Sequence, residues 1–182
     1  MRPATKPRRA AVRRTARTAP PRMSAATSAP RIGQPAPALN VQDETGRMVR
    51  LANLRGTWVV LYFYPKDDTP GCTREACAFR DGLSQLHARG AVVIGASPDS
   101  TASHQRFKTK FQLNFPLLSD TEQRVAQAYG VWKQKAMYGR TYMGIERTTF
   151  LINPQGRIAR IFPKVQVDGH ADEVLAALTE AR

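Results

Sequence analysis

The chain has 182 residues, of which 42% are hydrophobic and 23% charged, a balance that suits one globular core and excludes a fibrous or wholly disordered chain. Its longest apolar run, Trp58 to Tyr64, is strand length and far short of the roughly 20 residues of a membrane span, so a soluble domain with no membrane partner is expected. The formal charge of +14 is unevenly spread: residues 1 to 22 hold eight basic side chains and no acidic one, and the other 160 residues are only moderately basic at +6.

Two cysteines, Cys72 and Cys77, are the whole complement. A secreted disulfide scaffold carries more, and a structural zinc site needs four Cys or His ligands in spaced pairs, which His87, His104 and His170 do not complete. No metal is therefore expected, and the short spacing of the cysteines points to redox chemistry. The histidines read as surface residues without a role.

Residues 1–30 are rich in Ala, Pro, Arg, Thr and Ser and lack apolar periodicity, the composition of a disordered basic extension. Three readings fit it: an organelle transit peptide, a nucleic-acid-binding arm, or an upstream stretch from a mis-assigned start, with Met23 as the natural beginning. Residues 31–182 form the expected domain. Leu39 to Leu51 alternates around Asp43-Glu44-Thr45-Gly46 and reads as a hairpin. Trp58 to Tyr64 is a continuous apolar run, as in a central strand buried on both faces, and Tyr62, Phe63 and Tyr64 are mostly core. Pro65 to Gly71 reads as a loop.

Thr73 to Arg89 has helical spacing, with Ala76, Phe79, Leu83 and Leu86 on one face and Gly90 as its terminator. Ala91 to Ser97 is a second buried strand. A helix at Ser100 to Phe111, a short strand at Phe115 to Leu118 and a short helix at Glu122 to Tyr129 follow. Lys133, Lys135 and Arg140 read as a solvated basic loop, or as a docking point for an acidic thioredoxin surface. Thr148 to Ile152 and Arg157 to Phe162 flank the turn Asn153-Pro-Gln-Gly156, and Asp168 to Arg182 closes the chain as a helix. Strands alternating with helices give an α/β class with a covered central sheet.

The segment Phe63-Tyr-Pro-Lys-Asp-Asp-Thr-Pro-Gly-Cys72 runs from a buried strand through a loop into a helix start. A cysteine in a first helical turn meets free backbone N–H groups and the positive end of the helix dipole, which favour thiolate over thiol. Thr69 can place its hydroxyl beside that sulfur, donating to it or accepting from a peroxide. Pro65 fixes the backbone and helps keep bulk water off, and Pro70-Gly71 lets the amides approach a bound oxygen. Asp67 and Asp68 read as loop residues. Glu75 suits the helix N-terminus or a hold on Arg147; Arg147 alone would read as a surface partner of Glu146 or another acid. Cys77, among Ala76, Ala78 and Phe79, suits a packed face as well as a redox role. Positions i and i+5 of an ideal helix place their Cα atoms roughly 8.7 Å apart, beyond the roughly 7 Å a disulfide spans. If Cys72 and Cys77 bond, the helix start must unwind.

Pro65, Thr69 and Cys72 together resemble the peroxiredoxin pattern P-x-x-x-T-x-x-C, and a second cysteine five residues on resembles its bacterioferritin comigratory protein (PrxQ) branch. The likeness extends from about Gly33 to the C-terminus through Gly-Val-Trp132, Met137-Tyr-Gly139 and Gly144-Ile-Glu-Arg-Thr-Thr149, where Arg147 matches the family's active-site arginine. The resemblance implies a thioredoxin-like fold, a mixed central sheet flanked by helices, and a cofactor-free peroxidase acting as a monomer. Cys72 becomes a sulfenic acid on reducing hydrogen peroxide or an organic hydroperoxide, Cys77 resolves it as a disulfide, and thioredoxin or a similar dithiol recycles the pair. Thr69, Gly71, Cys72 and Arg147 would bind the substrate. A cytoplasmic location is expected, or an organelle if residues 1–22 are a transit peptide.

The competing readings are a nucleic-acid-associated protein using the basic arm, which the domain supports with no stacking or recognition-helix motif, and a general disulfide oxidoreductase, which lacks its CxxC. Deleting residues 1–22 separates arm from domain: peroxide turnover is expected to survive intact while any salt-sensitive DNA retention disappears. Loss of turnover in that deletion would place chemistry in the arm.

Overall fold

The computed structural model describes residues 29–181, so the readings made for the basic arm lie outside the described residues. Pro30 is buried and Ala29 packs against Gly130, where an added Cβ would stand 2.7 Å from the Ala29 Cβ. These two residues therefore belong with the domain.

In chain order, β1 (Asn40–Gln42) and β2 (Met48–Arg50) form the expected antiparallel hairpin, followed by a 3₁₀ turn at Leu51–Leu54. Then come β3 (Trp58–Phe63), α1 (Pro70–Ala88), β4 (Ala91–Ser97), α2 (Thr101–Phe111), β5 (Leu117–Ser119) and α3 (Arg124–Ala128). A second hairpin, β6 (Trp132–Met137) and β7 (Arg140–Ile145), precedes β8 (Thr148–Ile152), β9 (Ile158–Phe162) and α4 (His170–Glu180). The central sheet has the order β5-β4-β3-β8-β9, with β5, β4 and β3 parallel and β8 and β9 antiparallel to their neighbours.

The unbroken apolar run of β3 follows from burial on both faces. Val60, Tyr62 and Tyr64 join the cluster under α1 and α4, which includes Cys72, Ala76, Phe79, Leu83, Val174 and Leu178. Val59, Leu61 and Phe63 join the opposite cluster with Leu39, Val125, Tyr129 and Ile145. Tyr62 lies across Gly95 of β4, where an added Cβ would come within 2.9 Å of its hydroxyl; glycine is what lets that ring fit. Helix α1 begins at Pro70 rather than Thr73, because a proline at the first helical position loses no hydrogen bond there.

Two expectations are corrected. Lys133 to Arg140 is not a loop but the β6–β7 hairpin, turning at Tyr138 (φ 51°) and Gly139 (φ 73°), two left-handed residues that match the twist of a tight hairpin. Only His87 is on the surface; His104 and His170 are 0% and 2% exposed because each finds buried polar partners.

Candidate active site

Strand β3 delivers the chain to the loop 64–69, and α1 receives it with Thr69 as N-cap in extended backbone. The first intrahelical bond from this turn is Thr73 N–H to the Thr69 carbonyl, 2.8 Å. Pro70 has no N–H, so the amides of Gly71 and Cys72 precede that bond and have no helical acceptor. Cys72 is therefore held at the positive end of a 19-residue helix, 2% exposed.

Arg147, one residue before β8, brings its guanidinium to the same point. One nitrogen, Nη2, donates to Cys72 Sγ at 3.3 Å and the other, Nη1, to Glu75 Oε2. The β3–β8 register, with Phe63 opposite Thr148, sets Arg147 beside the end of β3 from which the loop departs. Its own carbonyl accepts from Val165 N–H at 3.0 Å, which fixes the backbone. Gly71 leaves room for this approach: a Cβ there would stand 3.3 Å from Arg147 Nη2.

Glu75 is 1% exposed, and its Oε1 has no hydrogen-bond partner among the described residues. Burial pushes its carboxyl up to about 7, outweighing the pull of the adjacent Arg147. Burial opposes the charge on Arg147 too, yet Glu75 and Cys72 together raise its proton affinity above the ordinary value. The pair is thus a cation held firmly by a carboxylate that is itself easy to protonate.

The loop has its own anchor, which sequence reasoning missed. Asp67 accepts from Tyr64 Oη (2.7 Å) and Ser103 Oγ (2.7 Å), and its Oδ2 lies 2.8 Å from His104 Nδ1. His104 Nε2 donates to the Leu118 carbonyl at 3.0 Å. The Asp67 amide donates to Asp99 Oδ2 at 2.8 Å. The partners lie 36 and 37 residues away on α2, so no local pattern announces them. Asp68 turns outward at φ 55° to pair with Lys110.

Thr69 donates its hydroxyl proton to the Lys66 carbonyl at 3.1 Å, leaving the oxygen's lone pairs to accept. Pro65 is exposed. Behind the site, His170 Nε2 is 2.8 Å from Thr149 Oγ1, and burial holds its imidazole below the usual proton affinity despite Glu173. Both cysteines are free thiols in α1, Cys72 buried and Cys77 half-buried. Among the described residues no group of three or more His, Cys, Asp or Glu could hold a metal ion, and no helix is long and apolar enough to cross a membrane.

The AhpC/TSA family model matches residues 32–161. The chain belongs to the peroxiredoxins. It is 53% identical over 147 residues to the putative peroxiredoxin bcp of Coxiella burnetii, covering 81% of this chain and 97% of that protein. Against peroxiredoxin Bcp of Bacillus subtilis it is 49% identical over 149 residues, 82% of this chain and 95% of the relative. Among solved structures it is similar to a cysteine-to-serine mutant of Xylella fastidiosa PrxQ, with a TM-score of 0.80 at 39% identity over 84% of this chain and 98% of that one. The bacterioferritin comigratory protein of Xanthomonas campestris, solved as trapped intermediate and ligand complexes bearing on its alkyl peroxide reduction activity, gives 0.76 at 43% identity over 79% and 92%. The fold is thioredoxin-like, and this peroxiredoxin is a thiol peroxidase of the Bcp/PrxQ branch that takes a hydroperoxide and a thiol reductant.

Sequence reasoning offered Glu75 two roles; the structure of this peroxiredoxin takes the one in which it holds Arg147. Glu75→Gln is expected to slow the reaction of reduced enzyme with hydrogen peroxide by roughly tenfold, because a charge-assisted bond is worth about 1.5–3 kcal/mol. The carboxyl's folded proton affinity is raised, so its contribution to stability is fully present below about pH 4.5 and is lost as pH rises through about 7. Denaturant unfolding across pH 4 to 8 should show that decline in wild type and a flatter profile in Glu75→Gln; equal slopes and an unchanged peroxide rate would contradict this account.

Proposed function

We propose that Cys72 is the peroxidatic nucleophile of a thioredoxin-recycled, monomeric peroxiredoxin and that Cys77 resolves it within the same chain. The single observation that carries the reading is the Arg147 guanidinium 3.3 Å from Cys72 Sγ at the N-terminus of α1. The thiolate attacks the distal oxygen of a hydroperoxide, the O–O bond breaks, and the leaving alkoxide or hydroxide takes a proton to become alcohol or water. Sulfur is oxidised to the sulfenic acid. Charge that develops on the peroxide oxygens meets Arg147 and the free amides of Gly71 and Cys72. Thr69, its own proton engaged by Lys66, accepts the hydrogen of the incoming hydroperoxide, and Pro65 and Pro70 fix the loop that presents it. Hydrogen peroxide and organic hydroperoxides share this chemistry.

The Cys77 sulfur then attacks the sulfenic sulfur, releasing water and forming the disulfide, and thioredoxin or a similar dithiol restores both thiols by exchange. A reducing compartment such as the cytoplasm supplies that dithiol. A disulfide between two cysteines of one helix needs no second chain, which supports the monomer.

With thioredoxin, thioredoxin reductase and NADPH, wild type should consume hydrogen peroxide, Cys72→Ser should lose at least a thousandfold, and Cys77→Ser should form one sulfenic acid per chain and then stall. Full activity in Cys72→Ser would sink the assignment. The helix geometry yields a separate expectation, since Cys72 and Cys77 lie in one α-helix and cannot bond without unwinding it. The moving segment is bounded: Asp67 is tied to Ser103 and His104, and Arg80 Nη1 donates to the Phe111 carbonyl at 2.7 Å. Oxidation should lower amide-exchange protection over residues 70–79 and spare Leu83 to Leu86; equal protection in the two redox states would refute the switch.

A further inference from the structure

Of six strongly exposed large apolar side chains among the described residues, four lie on the β6–β7 hairpin: Met137 (54% exposed), Tyr138 (97%), Tyr142 (45%) and Met143 (49%). Concentrated apolar exposure of this kind marks an interaction surface. The register sharpens it. Lys133 faces Gly144, Lys135 faces Tyr142, and Met137 faces Arg140. Residues paired across a ladder share a side of the sheet and alternate along it. One side therefore carries all three cations with Met137 and Tyr142. The other carries the exposed Met143, and Trp132 and Ile145, both of which pack into the core at the hairpin's base. Gly144 is the residue that lets this outer face lie flat, since a Cβ there would meet the Tyr142 ring at 3.3 Å and the Lys135 stem at 3.6 Å.

The segment Trp132 to Ile145 contains no acidic residue. Lys133 is paired with Glu146 at 2.7 Å, while neither Lys135 nor Arg140 is paired with a carboxylate among the described residues. The face thus asks for an acidic, partly apolar complement. The chain's own residues 1–22, with eight basic and no acidic side chains, repel it, and a second copy would set cations against cations. The hairpin is rooted at Ile145, two residues from the arginine that touches the Cys72 sulfur. The base of the hairpin therefore adjoins the site along the chain.

We propose that the outer face of the β6–β7 hairpin, with Lys135, Arg140, Met137 and Tyr142 as its contacts, is the docking surface for the protein dithiol that re-reduces this enzyme, a partner with an acidic, apolar-centred face. The inference rests on the proposed dithiol recycling and names where the donor binds. Cations flanking apolar contacts steer the encounter and set its rate more than they alter the chemistry that follows. A small dithiol needs no such surface.

The test compares wild type with Lys135→Glu/Arg140→Glu and with Tyr142→Ala, each driven by a thioredoxin of net negative charge and, separately, by dithiothreitol. Charge reversal is expected to lower kcat/KM for thioredoxin about tenfold at low salt, with the difference closing as ionic strength rises. Tyr142→Ala is expected to lower it by a salt-independent factor. The rate with dithiothreitol and the peroxide-driven loss of one thiolate should stay within twofold of wild type in both variants. Unchanged kinetics with thioredoxin would overturn the proposal, as would an equal fall with both donors. A shift in oligomeric state on charge reversal, or loss of binding to anionic phosphatidylserine vesicles, with thioredoxin kinetics intact would assign the face to a second copy or a lipid surface and overturn it too. Wild type inactive with both donors would instead fell the peroxidase reading beneath it.

Discussion

A half-buried cation beside a cysteine is the constraint on which the architecture turns. Arg147 cannot leave water without a carboxylate to hold it, and that carboxylate must itself be buried to reach it. Glu75 meets the need from the second turn of α1, the helix whose first turn carries Cys72. One side chain just before β8 thus grips two points of α1, three residues apart, and orients the helix start as it charges the site. The mixed sheet makes this feasible. Because β8 runs antiparallel to β3, its beginning lies beside the end of β3, so loop, helix start and arginine converge.

The same helix serves two incompatible demands. Activation requires α1 to be intact through Cys72, because the free amides and the dipole exist only while the turn is wound. Disulfide formation requires those turns to open. The fold resolves the conflict by fastening the segment at its two ends and to one element. α2 holds Asp67 through Ser103 and His104 and holds Arg80 through the Phe111 carbonyl. Between these anchors, the wound state is closed by the Arg147 bonds to Cys72 and Glu75 and by the core packing of Cys72, Ala76 and Phe79, and the burial that raises the Glu75 carboxyl to about 7 outweighs the pull of Arg147.

How much of this was legible follows from where each interaction is written. The candidate loop could be read because strand end, turn and helix start are local: Pro65, Thr69, Gly71 and Cys72 fall within eight residues. Strands β3, β4, β8 and β9 declared themselves because burial on two faces or a Pro-Gly-containing turn leaves its pattern in a few consecutive residues. Asp67 did not, since its meaning depends on a serine and a histidine that packing brings to it from α2. His104 and His170 looked like surface groups for the same reason: a polar side chain is buried only if its partners are, and those are tertiary. The β6–β7 hairpin was hidden by the opposite cause. Its outer face mixes cations with Met137 and Tyr142, so apolar alternation was missing, and only Tyr138-Gly139 carried the turn signal.

That hairpin also shows why the charge of the whole chain is a poor guide to its chemistry. Eight of the chain's basic groups sit in residues 1–22, outside the described residues. The cations that matter at close range are few and placed: Arg147 is half-buried, with one nitrogen on Glu75 and the other on the Cys72 sulfur. Half-buried Lys135 and exposed Arg140 stand on the outer sheet face opposite Tyr142 and Met137, where a charge is cheap to display and strong enough to orient an approaching surface. Pairing separates the two kinds of cation: Arg147 is bound to Glu75 and Cys72, and Lys135 and Arg140 meet no carboxylate among the described residues.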